Sequence, residues 1–241
     1  MSAPDLRHVE TWVFDLDNTL YPAELDLFAQ VDQRMGEYIS RLLDVPLDDA
    51  RVLQKRYYAE HGTTLTGLVR LHGIEPAAFL DYVHDIDMSA VKPSAELDRL
   101  LAELDGRKIV FTNGSIAHAE RVLAALDIGH HFREIYDIAA FGFVPKHEEA
   151  AFGKLVAQAD FRPRRAAMFD DVARNLRPAH ALGMTTVWIR TMRDWSVPKE
   201  FLSREEADAA SYIDHEAGDL VGFLRAMRHK AMPTAASAGA R

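Results

Sequence analysis

Two pairs of acids close apolar runs in this chain. Asp15 and Asp17 follow Thr11-Trp12-Val13-Phe14, and Asp170-Asp171 follow Ala166-Ala167-Met168-Phe169. Thr112-Asn113-Gly114 ends a third run, and Pro145-Lys146 precedes a helix-like stretch over 147–159. In open parallel sheets the ligand sits beyond the carboxyl ends of the strands, so these residues are expected to meet at one edge. Carboxylates gathered in a low-dielectric cleft repel one another and need a cation or raised pKa values. A hard divalent ion, Mg²⁺ above all, suits oxygen ligands and leaves part of its shell to a substrate phosphate. Thr112 and Lys146 then suit a phosphoryl group as hydrogen-bond donor and point charge. Each residue alone has an ordinary explanation, because acids cap helices and a Thr or Lys near a turn is commonly solvated. Their joint occurrence, each after an apolar run, points to a site.

The elements that must position them are legible from period and punctuation. Residues 11–17 read as a buried strand. From about 22 to 84 the pattern is helical, with Leu27, Val31, Met35, Tyr38, Ile39, Leu42 and Leu43 at three- and four-residue steps. After Lys92-Pro93 strands and helices alternate: a helix from Ser94 to about 104, strand 107–113, helix 115–126, strand 135–139, helix 147–159, strand 166–171, helix 173–182 and strand 185–190. Residues 211–213 read as a further strand and 216–228 as a closing helix. The alternation predicts an α/β fold, an open Rossmann-like parallel sheet with helices on both faces, carrying a helical cap inserted after the first strand. The expected division is an α/β core of 1–20 and 93–230, a cap of 21–92, and a disordered tail over 231–241.

Composition narrows the function classes. The 241 residues are 48% hydrophobic and 27% charged, ordinary for a soluble globular chain that can bury a large core. The absence of cysteine excludes disulfides, thiolate metal sites and a cysteine nucleophile. A net charge of −9 argues against binding a nucleic-acid polymer, while leaving room for a small anionic substrate in a locally cationic cleft. No apolar run approaches the roughly 20 residues of a membrane span and the start lacks a signal-peptide pattern, so a cytoplasmic protein is expected. His130-His131 and the other histidines show no metal-ligand spacing and read as surface or structural residues, while Trp188 and Trp195 read as core by default, with a surface contact as the alternative.

Taken together, Phe14-Asp15-Leu16-Asp17-Asn18-Thr19-Leu20, Val110-Phe111-Thr112-Asn113-Gly114, Pro145-Lys146 and Phe169-Asp170-Asp171 with Asn175 resemble, in content and order, the four motifs of the haloacid dehalogenase-like (HAD) superfamily of phosphatases. The segment Asp15 to Tyr21, with Tyr57-Tyr58 and His61-Gly62-Thr63-Thr64-Leu65 in the cap, is similar to the pyrimidine 5′-nucleotidase branch. The resemblance implies an aspartyl-phosphate mechanism with Asp15 as nucleophile and Asp17 as general acid and base. An acid role asks for a raised Asp17 pKa. Thr112, Asn113, Gly114 and Lys146 would bind the phosphoryl group. Mg²⁺ would be held by Asp15, Asp170, the main-chain carbonyl of Asp17 and, directly or through water, Asp171.

The cap would choose the substrate, a small phosphorylated molecule and by resemblance a nucleoside 5′-monophosphate. Tyr57 and Tyr58 are candidates to stack a base, and Thr63 and Thr64 to bond base or sugar. Dehalogenases of this fold lack an acid at the position of Asp17, by the family pattern, so dehalogenation is disfavoured. Phosphonate hydrolysis by the family's route needs a cap lysine; the insertion offers Lys55, which reads as a solvated charge on a helix face. Two alternatives stay open: a sugar-phosphate phosphatase or phosphomutase of the same fold, and a non-enzymatic signalling module phosphorylated on Asp15.

Overall fold

A computed structural model describes residues 5–190 and 211–231. Six parallel strands form one sheet: β1 (Thr11–Phe14), β2 (Arg107–Phe111), β3 (Phe132–Tyr136), β4 (Ala166–Asp170), β5 (Thr185–Ile189) and β6 (His215–Ala217), in the order β3-β2-β1-β4-β5-β6. The order reverses at β1, which puts a crevice between the carboxyl ends of β1 and β4. Alternation along the strands builds a core on each face. Trp12, Phe14, Val110 and Phe169 pack against α5 (Ala95–Ala102), α6 (Ile116–Leu126) and α9 (Leu220–Ala231). Val13, Ile109, Phe111 and Met168 pack against α7 (Glu149–Ala159) and α8 (Ala173–Ala181).

Between β1 and β2 the chain forms α1 (Leu27–Leu43), α2 (Leu47–His61), α3 (Thr64–His72) and α4 (Pro76–His84). Their apolar stripes close on a third core of Val31, Ile39, Ala50, Tyr57, Leu68, Phe79 and Val83, joined by Ile138 from the loop after β3. Local chemistry sets the helix ends. Thr63, Ser94 and Ser115 cap α3, α5 and α6 by accepting the N–H of Thr66, Leu97 and His118. Gly62 ends α2 at φ 84, and a Cβ there would collide with the His147 ring, so only glycine fits this contact between the inserted helices and the loop before α7.

Three expectations shift. The strand expected at 135–139 runs over Phe132–Tyr136, because Asp137 turns its carboxylate onto the N–H groups of Ile116 and Ala140 and ends the ladder. Residues 211–213 do not form a strand; Asp214 and the Tyr212 carbonyl bond Thr186 through side-chain contacts, and pairing begins only at His215. The closing helix therefore starts at Leu220 instead of 216. No helix among the described residues is long and apolar enough to cross a membrane. The expected tail lies, save Ala231, outside the described residues, as does Trp195.

Candidate active site

The sheet register assembles the site. Phe14 pairs with Val110 on one side and Phe169 on the other, and the Asp15 N–H donates to the Phe169 carbonyl at 2.8 Å. Asp15, Asp170 and, one step along β2, Thr112 thus emerge at one edge. The turn that follows β1 passes through Asn18 at φ 57, a left-handed position that asparagine tolerates better than most residues, and lifts Asp17 toward the same opening. Lys146 arrives on the loop before α7, its main-chain N–H held by Asn113 Oδ1 at 3.0 Å.

Lys146 is 2% exposed and its ammonium donates to Asp15 Oδ1 and, at 2.7 Å, to Asp170 Oδ2. Asp170 is fully buried; its other oxygen accepts the Val172 N–H at 2.9 Å and the Asn175 amide at 3.0 Å. Asn175 thus turns its amide into the site and lines the cavity instead of facing solvent. Asp171 accepts from Asn18 Nδ2 at 3.1 Å, and Trp188 donates its indole N–H to the Asp171 carbonyl at 2.9 Å. Carboxylate oxygens of Asp15, Asp170 and Asp171 lie within 4.8 Å of one another. One ammonium does not balance three carboxylates. Burial pushes the Asp15 carboxyl up to about 7, with Asp170 and Asp17 adding to it against the pull of Lys146. Burial, then Asp15 and Asp170, hold Asp171 well above the carboxylate range. For Lys146, burial favours the neutral form, but its two acid partners prevail and raise its pKa. An oxygen-only cluster short of positive charge is the chemistry of a hard divalent cation site. Asn18 Oδ1, buried and without a hydrogen-bond partner among the described residues, adds a further oxygen to that neighbourhood.

Asp17 differs from its expectation. Burial works to raise its pKa, yet the charge and hydrogen bond of His118 and the hydrogen bond of Tyr21 outweigh it and hold the carboxyl near 2. Without a ligand Asp17 is an anion, and sequence reasoning missed both groups responsible. Tyr21 lies four residues on in the same turn, a spacing that was open to notice; His118 lies 101 residues away on α6, with no local signal.

A cavity of about 440 Å³ lies between the sheet edge and the inserted helices. Asp15, Asp17, Thr112, Asn113, Gly114, Lys146 and Asp171 line its floor, while Tyr58, Thr63 and Thr64 line its wall. The Thr112 hydroxyl accepts the Gly114 N–H at 2.9 Å, which orients it. Tyr57 does not reach the cavity. It is 3% exposed in the helical core, its hydroxyl 2.8 Å from His72 Nε2, so its expected stacking role gives way to packing. Tyr58, one residue on, turns outward under the Arg174 guanidinium at 4.0 Å. Lys55 is not a solvated surface charge: it lines the cavity and pairs with Asp32 at 2.6 Å. Asp98, His130 and His131 form a second cluster away from the cavity, where one Asp98 oxygen serves both imidazoles at 3.0 and 2.7 Å and ties the turn after α6 to α5.

Residues 9–183 match the haloacid dehalogenase-like hydrolase family. Phosphate metabolism protein 8 of Saccharomyces cerevisiae is 29% identical over 209 residues, covering 79% of this chain; the chain spans 64% of that protein's length. Among solved structures, a HAD phosphatase from Thermococcus onnurineus aligns with a TM-score of 0.58 at 16% identity, over 92% of this chain and 97% of its own. The L-2-haloacid dehalogenase of Xanthobacter autotrophicus aligns at 0.53 and 15%, over 92% and 100%. At such identities the likeness concerns the fold alone, and that fold carries more than one reaction. With the family match spanning most of the chain, the protein belongs to the haloacid dehalogenase-like hydrolases.

Proposed function

We propose that the protein is a Mg²⁺-dependent phosphomonoester hydrolase that works through an aspartyl-phosphate on Asp15, with a pyrimidine nucleoside 5′-monophosphate as substrate. Residues 21–92 act as a cap over a core of 1–20 and 93–230. The observation that carries the reading is the pair of carboxylates, Asp15 and Asp17, on the floor of one cavity beside Thr112 and Lys146. Halide leaves carbon as an anion and needs no proton from a second acid, and by the family pattern dehalogenases of this fold lack an acid at the position of Asp17.

Asp15, Asp170 and Asp171, with the Asp17 main-chain carbonyl, would hold Mg²⁺, which supplies charge neutralisation to the phosphoryl oxygens when bound. The chain's own groups do the rest. An Asp15 carboxylate oxygen attacks phosphorus as the bond to the ester oxygen breaks, and Asp17 gives that oxygen a proton. An incoming phosphate sets negative charge beside Asp17, which lifts the carboxyl from its low resting value and lets it carry that proton. Asp17, now a base, takes a proton from water, whose oxygen attacks the phosphorus and frees Asp15 and inorganic phosphate. The Thr112 hydroxyl and the Lys146 ammonium hold the phosphoryl oxygens. Tyr58, Thr63 and Thr64 on the wall suit an aromatic base and sugar hydroxyls, and the pyrimidine preference rests on the resemblance of the first motif and the 57–65 segment.

A phosphate-release screen with Mg²⁺ or EDTA, across nucleotides, sugar phosphates and phosphoglycolate, tests this. Fastest Mg²⁺-dependent release from pyrimidine monophosphates is expected. Faster release from sugar phosphates, or phosphate exchange between sugar positions, favours the sugar-phosphate phosphatase or the mutase. A stable phospho-Asp15 without turnover favours the signalling module, and metal-independent halide release from 2-haloacids overturns phosphatase chemistry.

A further inference from the structure

Asp17 Oδ1 receives two hydrogen bonds, from the Tyr21 hydroxyl at 2.6 Å and from His118 Nε2 at 2.8 Å. Both bonds go to one oxygen, which leaves Oδ2 as the atom available to a substrate. His118 is fully buried in the first turn of α6, and its Nδ1 has no hydrogen-bond partner among the described residues. A buried ring nitrogen left unbonded destabilises the fold, so packing alone does not account for a histidine here; a phenylalanine would fill the space without that penalty. The ring is also held from above. His84, the last residue of α4, stacks on it with centroids 4.3 Å apart and planes 6° apart. Ser115 Oγ joins the two, lying 2.9 Å from His84 Nδ1 while accepting the His118 main-chain N–H at 3.3 Å.

We propose that His118 is a positioning residue: it fixes the Asp17 carboxylate so that Oδ2 faces the leaving oxygen of the substrate, and the stacked His84 ties that orientation to the seating of the inserted helices over the cleft. The inference rests on Asp17 being the acid and base of the proposed phosphatase. When the ester bond breaks, the electron pair stays on the leaving oxygen and the Asp17 Oδ2 proton goes to it. A nucleoside alkoxide needs that proton, whereas p-nitrophenolate leaves as the anion. A misaimed Asp17 therefore penalises the first substrate selectively in kcat/KM, which reads the steps up to phospho-Asp15. It lowers kcat on both, because water attack uses Asp17 as base whichever group has left.

The test compares a pyrimidine nucleoside monophosphate with p-nitrophenyl phosphate under saturating Mg²⁺. His118→Ala is expected to lower kcat/KM by roughly 10- to 100-fold on the nucleotide and by less than about threefold on p-nitrophenyl phosphate, a share of the usual worth of general acid catalysis. His118→Gln, whose amide N–H can stand where Nε2–H stood, should restore most of the nucleotide rate, and His84→Ala should give the selective pattern more weakly. Equal losses on the two substrates, or a Gln variant no better than Ala, overturn the role of His118. Should His118→Ala fail to fold, Tyr21→Phe removes the other donor to the same oxygen and should show the same selectivity; an unselective loss there overturns the proposal too. A wild-type protein that hydrolyses neither substrate with Mg²⁺ overturns the phosphatase reading itself, a result distinct from an active wild type with unselective variants.

Discussion

The Lys146 ammonium sits 2.7 Å from Asp170 Oδ2 with neither side chain open to water, so the two form a buried ion pair. Removing one member of a buried ion pair leaves the partner uncompensated and costs about 3–5 kcal/mol. In Lys146→Met that loss is compounded, because Asp15 and Asp171 crowd the same space. Urea unfolding at pH 7.5 should show a destabilisation of about that size, shrinking toward pH 5 as the acids take up protons, together with loss of phosphate release. A variant as stable as the wild type would mean that Lys146 does not neutralise this cluster.

Asp15 gives the opposite sign. Its carboxyl, pushed up to about 7 from 3.8, keeps a proton in the folded state that the unfolded chain has lost. Between those values the folded protein binds more protons, so this group lowers stability as pH rises through the window, with the full penalty above about 7. Asp15→Asn should abolish turnover, and in metal-free buffer at pH 8 it should raise unfolding free energy by about 1–4 kcal/mol, a gain absent at pH 4. Retained turnover would remove Asp15 from the nucleophile's place.

A divalent ion relieves the same repulsion. Mg²⁺ at about 100 times its dissociation constant should stabilise the wild type by about 2.7 kcal/mol, read as a rise in thermal midpoint that EDTA reverses. Asp171→Asn, which removes one of the three clustered carboxylates, should need more Mg²⁺ for the same rise. An unchanged Mg²⁺ titration in that variant would take Asp171 out of the ion's reach.

The two adjacent tyrosines of α2 separate packing from recognition. Tyr57→Phe loses a hydroxyl contact with His72 and should lower stability by about 1 kcal/mol with KM unchanged. Tyr58→Ala strips the cavity wall and should raise KM for the nucleotide several-fold with little change in unfolding free energy. Steady-state kinetics beside denaturation curves check both, and a reversed pattern would move the substrate contact to Tyr57.

These contrasts mark where sequence reasoning reaches. Asp15, Thr112, Lys146 and Asp170 were legible because three of them end apolar runs and a parallel sheet has one carboxyl edge. The inserted helices were legible as a block because Leu27 to Leu43 keep one period. The division of labour between Tyr57 and Tyr58 depends on which side of α2 meets the helical core, a turn of about 100° that adjacent residues in a mixed stretch leave open. His118 and His84 stayed hidden for a different reason. Their partners are set by how α4 and α6 approach, and a histidine at either place reads from sequence as an ordinary helix residue. The expectation of a raised Asp17 pKa followed from overlooking His118.

His84 also carries a pH signature. Burial, then the neighbouring His118 and the Arg121 charge, hold its pKa down to about 3 against the opposing pull of Asp17, while its unfolded value is 6.5. Below 6.5 the unfolded chain gains a proton that folded His84 refuses, so stability falls as pH drops from about 6.5 toward 3 and rises again with pH. Between pH 7 and pH 5 this group alone should remove about 2 kcal/mol of unfolding free energy. His84→Phe keeps a ring over His118 and deletes the titration. The wild type should therefore lose about 2 kcal/mol more than the variant over that interval in paired urea titrations, and equal losses would show that His84 takes up its proton in the folded state as readily as in the unfolded chain.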